Sequence, residues 1–256
     1  MGSAGNAVES PHKRDVSLAG CESLDAEVPV LHAPRLEHKA GEVRAYLAHG
    51  YGSLAGILSI EPPAITALLV ADEDWESAPR ENVRPYPPGL PYFTRSLEPP
   101  ALVLPEELSP VFRPRTPATL PLTVWHELAH AFLLGREVVR TPAWLGEFVP
   151  QAASAAVARR VGLPLDDHLS RIDREPGFTV RGFSGPAGAW DQMSFQNLLL
   201  VLGCAALDRF GEGFLRRIFR TLWEEDELVD GERAEELLGD ALGPGGRAWL
   251  ASRPEF

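Results

Sequence analysis

The chain has 256 residues, 45% of them hydrophobic, and a formal net charge of -12 at pH 7. Its length and apolar content suffice for a buried core, whereas the acidic balance and the lack of any Lys/Arg cluster exclude a nucleic-acid partner. Cys21 and Cys204 are too few and too far apart for a disulfide framework, and no apolar run reaches the length of a membrane span, so a cytoplasmic protein without a membrane partner is expected.

Residues 1–25 are polar and small without periodicity and read as a flexible arm. From Glu37 to Leu58 the apolar residues Val43, Tyr46, Leu47 and Leu54 recur at helical spacing; Gly50 and Gly52 weaken the middle, and Glu61-Pro62-Pro63 ends the segment. The stretch AITALLVA, Ala64 to Ala71, predicts a buried strand. The segment from Asp72 to Pro91, rich in proline and charge, predicts a surface loop, and Tyr92–Ser96 and Ala101–Leu104 predict two short strands bounded by proline.

After Thr119 the pattern is helical. The order of elements predicts an α+β fold in which residues 26–135 form a lobe with a small mixed sheet, residues 136–256 form a mostly helical lobe, and a cleft lies between them.

The first helix of that half carries TVWHELAHAFLLG, Thr123 to Gly135. Thr119 or Leu120 suits its cap, Pro121 its first turn and Gly135 its end. His126 and His130 stand four residues apart, which sets both rings on one helical face, and Glu127 is turned by roughly 100° from His126. Metal-assisted hydrolysis needs this division: two neutral nitrogens hold a Lewis acid, and a carboxylate beside it takes a proton from water. The competing reading is two histidines on an amphipathic helix.

A catalytic site of this kind needs a third protein ligand. A third histidine at the extended spacing is ruled out, because Leu133 and Arg136 occupy the relevant positions, and Cys21 is too distant to serve as a deformylase-like cysteine. A carboxylate remains: Glu147, on a helix within TPAWLGEFVPQAASAAVARRVG, or Glu137 in the connecting turn. That helix is expected to start near Leu145 or Gly146, so that Pro150 falls in or near its first turn. Gln151, one turn after Glu147, is placed to hold a ligand from behind.

His126, Glu127 and His130, followed by Pro142, Trp144, Leu145 and Glu147, resemble the gluzincin metallopeptidases, in particular the bacterial peptidase MA-like group. Weaker similarity extends to Ala64–Ala71, to DRFGEGFLRRIF at Asp208–Phe219 and to GPGGRAWL near the end, so the resemblance spans Glu42 to Trp249. It implies a zincin-like fold, a Zn2+ ion held by His126, His130 and Glu147, and Glu127 as the catalytic base cleaving a peptide or protein substrate. It also implies an edge strand upstream of the helix that pairs with substrate, for which Tyr92–Ser96 is the candidate, and a donor to the developing oxyanion.

All four tyrosines precede the zinc motif, which leaves His168, Arg171, Arg174 and Arg181 as candidate donors, with Tyr92 or a backbone amide behind them. On its own, His168 reads as an exposed helix or loop histidine. Phe148 stands where relatives carry glycine and is expected to narrow the site. Trp144 reads as core packing, His12, His32, His38 and His49 need no role, and Glu224–Glu227 reads as a solvated helix end. A zincin-fold protein that holds zinc without turnover is the alternative from a different class.

Overall fold

The run Ala64–Ala71 forms the middle of a sheet, and its alternation decides how the chain packs. In the computed structural model, which describes residues 21–81, 88–134, 141–183, 188–225 and 228–256, strand β3 (Thr66–Val70) is buried along its whole length. Successive side chains point to opposite faces of a strand. Ala67 and Leu69 accordingly join the main core with Leu102 and Leu104, while Leu68 and Val70 join Trp75, Tyr92 and Val103 in a second cluster behind the sheet.

The other strands are β1 (Glu22–Leu24), β2 (Val30–His32), β4 (Tyr92–Thr94) and β5 (Ala101–Pro105), and the sheet order is β1-β2-β3-β5-β4. β2, β3 and β5 are parallel; β1 and β4 join antiparallel at the two edges. The small mixed sheet and the helices after it make an α+β fold, as the order of sequence patterns predicts.

Two expectations change here. Glu22–Leu24 belongs to the stretch read as a flexible arm, yet it forms a strand on β2; residues 1–20 lie outside the described residues. β2 itself was not expected. With only three residues, each of these strands is too short to display periodicity, and cross-strand pairing fixes them. The segment after β3 is also more ordered than a plain loop, because Asp72–Ser77 forms a 3-10 turn that buries Trp75.

Helix α1 spans Glu37–Leu58 as expected and ends at Ser59, whose φ of 54° is left-handed. It crosses over between the parallel strands β2 and β3. Gly50 weakens its helical propensity but admits α2 (Thr119–Leu134): a Cβ at Gly50 would lie 2.9 Å from Trp125 Nε1 and 3.0 Å from Leu128 Cδ2. Trp125 Nε1 then donates to Tyr46 O at 2.8 Å, fixing the crossing.

α3 (Ala143–Arg160) is rich in buried alanines, Ala152, Ala153, Ala155, Ala156 and Ala158 among them, and small side chains let helices approach closely on several sides. It packs between α2 and α5 (Ala189–Phe210), where Gly203 would place a Cβ 3.0 Å from Ala152 Cα. The short α4 (Asp166–Ser170) links α3 towards α5. Three more helices, α6 (Gly213–Glu224), α7 (Gly231–Leu242) and α8 (Gly246–Ala251), complete the C-terminal half; Asp230 caps α7 by accepting from Arg233 N. One apolar cluster runs from Val28 to Leu250 through both halves.

The start of α3 departs from expectation. It begins at Ala143, so Pro150 lies inside it and is buried. A proline there removes one intrahelical bond, at about 3 kcal/mol or more, and the packing of α3 on α2 and α5 offsets that cost.

Candidate metal centre

α2 is anchored at its head by two threonines. Thr119 is the first helical residue and not the residue before it; its Oγ1 accepts from Thr116 N at 2.9 Å and donates to Pro114 O at 2.8 Å. Thr116 Oγ1 in turn accepts from Ala118 N. The helix then buries Leu122, Val124, Trp125, Leu128 and Phe132. One flank remains for His126, Glu127 and His130, and it faces a cavity of about 700 Å³.

Into the same cavity α3 projects Glu147. His126 Nε2 and His130 Nε2 are 3.1 Å apart, and Glu147 Oε2 lies 3.2 Å from the first and 3.4 Å from the second. Three lone-pair donors at these separations repel one another unless a proton or a metal ion lies among them. The three donor atoms are close enough together to serve as ligands of one ion. The His-His-Glu group therefore fits a metal ion.

The charges reinforce this. Burial alone would raise the Glu147 carboxyl, but His130 foremost and then His126 outweigh it and hold the group well below the usual carboxylate range. For His130, burial would lower the imidazole, and the Glu147 carboxylate, with help from Glu127, outweighs it and raises it. Glu127 shifts the other way: burial raises its carboxyl, partly offset by the two histidines. Of the two carboxyls, Glu147 thus carries negative charge towards an ion and Glu127 has the greater proton affinity.

Gln151 does not hydrogen-bond to Glu147. It donates to Gln196 Oε1 at 2.7 Å, and Gln196 donates to Glu147 Oε2 at 2.8 Å, so the expected support acts through an intermediate side chain on α5. Nothing local in the sequence marks Gln196. Glu137 lies outside the described residues, and so does Gly135.

Of His168, Arg171, Arg174 and Arg181, His168 is the one that lines the cavity. It is buried on α4, contrary to the exposed position expected from its polar surroundings, and its Nδ1 is 2.8 Å from Thr116 Oγ1, which leaves Nε2 for the cavity. Burial pushes its pKa down, opposed by Asp167.

Arg171, Arg174 and Arg181 are exposed and do not line the cavity; Arg171 pairs with Asp167 and Arg181 with Glu235. Tyr92 borders the cavity, but its hydroxyl donates to Pro79 O at 2.9 Å. Phe148 does not narrow the site: it is buried in the core against Phe214, with ring centroids 6.2 Å apart. Trp144 is core packing as expected, edge-on to Phe256. β4 is an edge strand of the sheet, and Tyr92 and Phe93 border the cavity from it.

A scan of protein-family models finds no match to the chain, and a search of curated proteins finds none similar to it. The described helices include none long and apolar enough to cross a membrane.

Proposed function

We propose that this chain is a zinc metallohydrolase of gluzincin type that cleaves a peptide or amide bond, with His126, His130 and Glu147 as ligands and Glu127 as base. The observation that carries the reading is the triangle of donor atoms, with sides of 3.1, 3.2 and 3.4 Å, beside a buried carboxylate of raised proton affinity. Two neutral imidazoles and one carboxylate suit zinc and leave a coordination position free. Bound there, the ion supplies Lewis acidity to a carbonyl and acidity to water.

The protein's own groups do the rest. Glu127 accepts a proton from the attacking water and returns it to the leaving amine, a role helped by burial that lifts its proton affinity towards working pH. Gln196 orients Glu147. With its ring proton on Nε2 and Thr116 donating to Nδ1, His168 offers an N–H to charge developing on the carbonyl oxygen. Leu90, Phe93, Phe112 and Leu122 give the cavity an apolar wall that displaces bulk water from the bond to be cut.

Metal analysis of the purified chain, together with turnover of a broad peptide library by the parent and by Glu127→Gln, tests the proposal. The variant keeps zinc and loses roughly 10² or more in rate. Zinc bound by a parent that cleaves nothing would turn the reading into that of a binding protein.

A further inference from the structure

Among the described residues that line the cavity, Arg113, itself exposed, is the one arginine or lysine. Sequence patterns give it no role. It lies in the segment that leads into α2, and its guanidinium sits over the ring of Trp190 with Cζ 4.9 Å from the centroid. Trp190 is 53% exposed, unusual for an indole, on the first turn of α5. The backbone of Arg113 is fixed as well: Asn197 donates from Nδ2 to Arg113 O at 2.7 Å. Asn197 directly follows Gln196, so one stretch of α5 holds both the ligand Glu147 and the Arg113 segment.

Many arginines of this chain are matched to acceptors. Arg35, Arg159, Arg160, Arg233 and Arg247 have carboxylate partners, and Arg80, Arg115 and Arg217 donate to backbone carbonyls. Arg113 has neither among the described residues, although the chain carries an excess of acid. A ring under the face of a guanidinium leaves the in-plane N–H groups free, and these form the fork that matches a carboxylate. The stacking also limits the rotamers of the arginine, which reduces the ordering cost when an anion arrives.

We infer that Arg113, stacked on Trp190, is a specificity-determining residue that binds a carboxylate of the substrate, so that the cavity favours acidic peptides over neutral ones. The inference rests on the peptidase reading for its substrate class. The carboxylate comes from an aspartate or glutamate side chain or from the free end of a peptide. Because the net charge of -12 repels an anionic substrate at long range, the preference is set at short range by Arg113 and not by steering.

The test uses the full chain as Glu127→Gln, which retains bound peptide uncut, with and without Arg113→Gln. Each immobilised protein, zinc-loaded and again after treatment with chelator, is exposed to randomised N-acetylated hexapeptides, one set ending in an amide and one in a free acid. Retained peptides are read by mass spectrometry. With Arg113 present, either peptides containing Asp or Glu are enriched about tenfold or more over their Asn and Gln counterparts or the free-acid set is enriched as much over the amide set, and Arg113→Gln abolishes the enrichment while zinc content and melting temperature stay the same. Arg113→Lys, which keeps the charge but loses the fork, retains part of it. Greater retention of the free-acid set than of the amide set, lost in Arg113→Gln, assigns the carboxylate to a peptide end; enrichment of Asp and Glu peptides within the amide set assigns it to a side chain.

Equal retention of acidic and neutral sequences together with equal retention of the free-acid and amide sets, enrichment unchanged by Arg113→Gln, or no retention at all overturns the inference. Failure of the peptidase reading is separate: acidic enrichment with no turnover by the parent removes the reaction and leaves Arg113, whereas turnover without acidic preference removes Arg113 and leaves the reaction.

Discussion

Gln196 donates to the same oxygen of Glu147, Oε2, that faces both His126 and His130. The amide therefore fixes the rotamer of a carboxylate that comes from a different helix from the two imidazoles. Gln196→Leu removes the donor at similar volume. Zinc affinity in that variant should fall about 10- to 100-fold, the range usual for losing a group that orients a ligand, as measured by competition with a chromophoric chelator. Gln151→Leu, one hydrogen bond further away, should cost less. Equal affinities in parent and Gln196→Leu would show that packing alone positions Glu147.

Metal and proton compete for the His130–Glu147 pair. Since His130 is raised above 6.5 mainly through Glu147 overcoming burial, the metal-free site retains a proton at a pH where an ordinary histidine has released it. Zinc affinity should then decline on acidification from above pH 6.5, and zinc binding at pH 7 should expel protons. Calorimetric titrations in two buffers of different ionisation heat measure this. Glu147→Gln should release fewer protons; parent protein that releases none at pH 7 would contradict the coupling.

His168 gives a second pH dependence of known sign. Its folded pKa is depressed, so the unfolded chain takes up the proton first, and stability falls as pH drops through the ordinary value of 6.5 towards the folded one. Urea unfolding at pH 7 and pH 5, with chelator present, should show a shallower acid loss in His168→Asn than in the parent. The same variant should bind zinc normally yet turn over substrate more slowly. An unchanged rate would take His168 out of the reaction.

At Gly50, two effects oppose each other. Alanine improves helix propensity by about 1 kcal/mol, but its Cβ would come within 2.9 Å of Trp125 Nε1, in a crossing already closed by a hydrogen bond. Overpacking of this kind typically costs about 1–3 kcal/mol, so Gly50→Ala should be net destabilising in denaturant unfolding. A stabilised variant would mean that α1 and α2 separate easily.

What the sequence made legible was local. His126 and His130 share a face because of a four-residue spacing, α1 has the bounds its apolar periodicity suggests, and Glu147 follows at a short loop's distance. What it concealed depends on contacts between distant segments. Gln196 approaches Glu147 across 49 positions, with no spacing rule to announce it. His168 is buried because α4 packs against the Thr116 segment, although its neighbours Asp166 and Asp167 suggest a solvated turn. Pro150 misleads about the start of α3 for a related reason, since local propensity cannot register the burial that offsets a broken turn.

The residues from Arg113 to Thr119 connect three helices. They lead into α2, reach α4 through Thr116 and His168, and reach α5 through Arg113 and Asn197. A hinge motion that widened the gap between these helices would have to break both ties. On the peptidase reading proposed above, a peptide that could not prise these helices apart would have to arrive already extended. For a target folded in its native state, cleavage would then be timed by how often the target frays, and flexible tails and loops would be cut long before any compact domain.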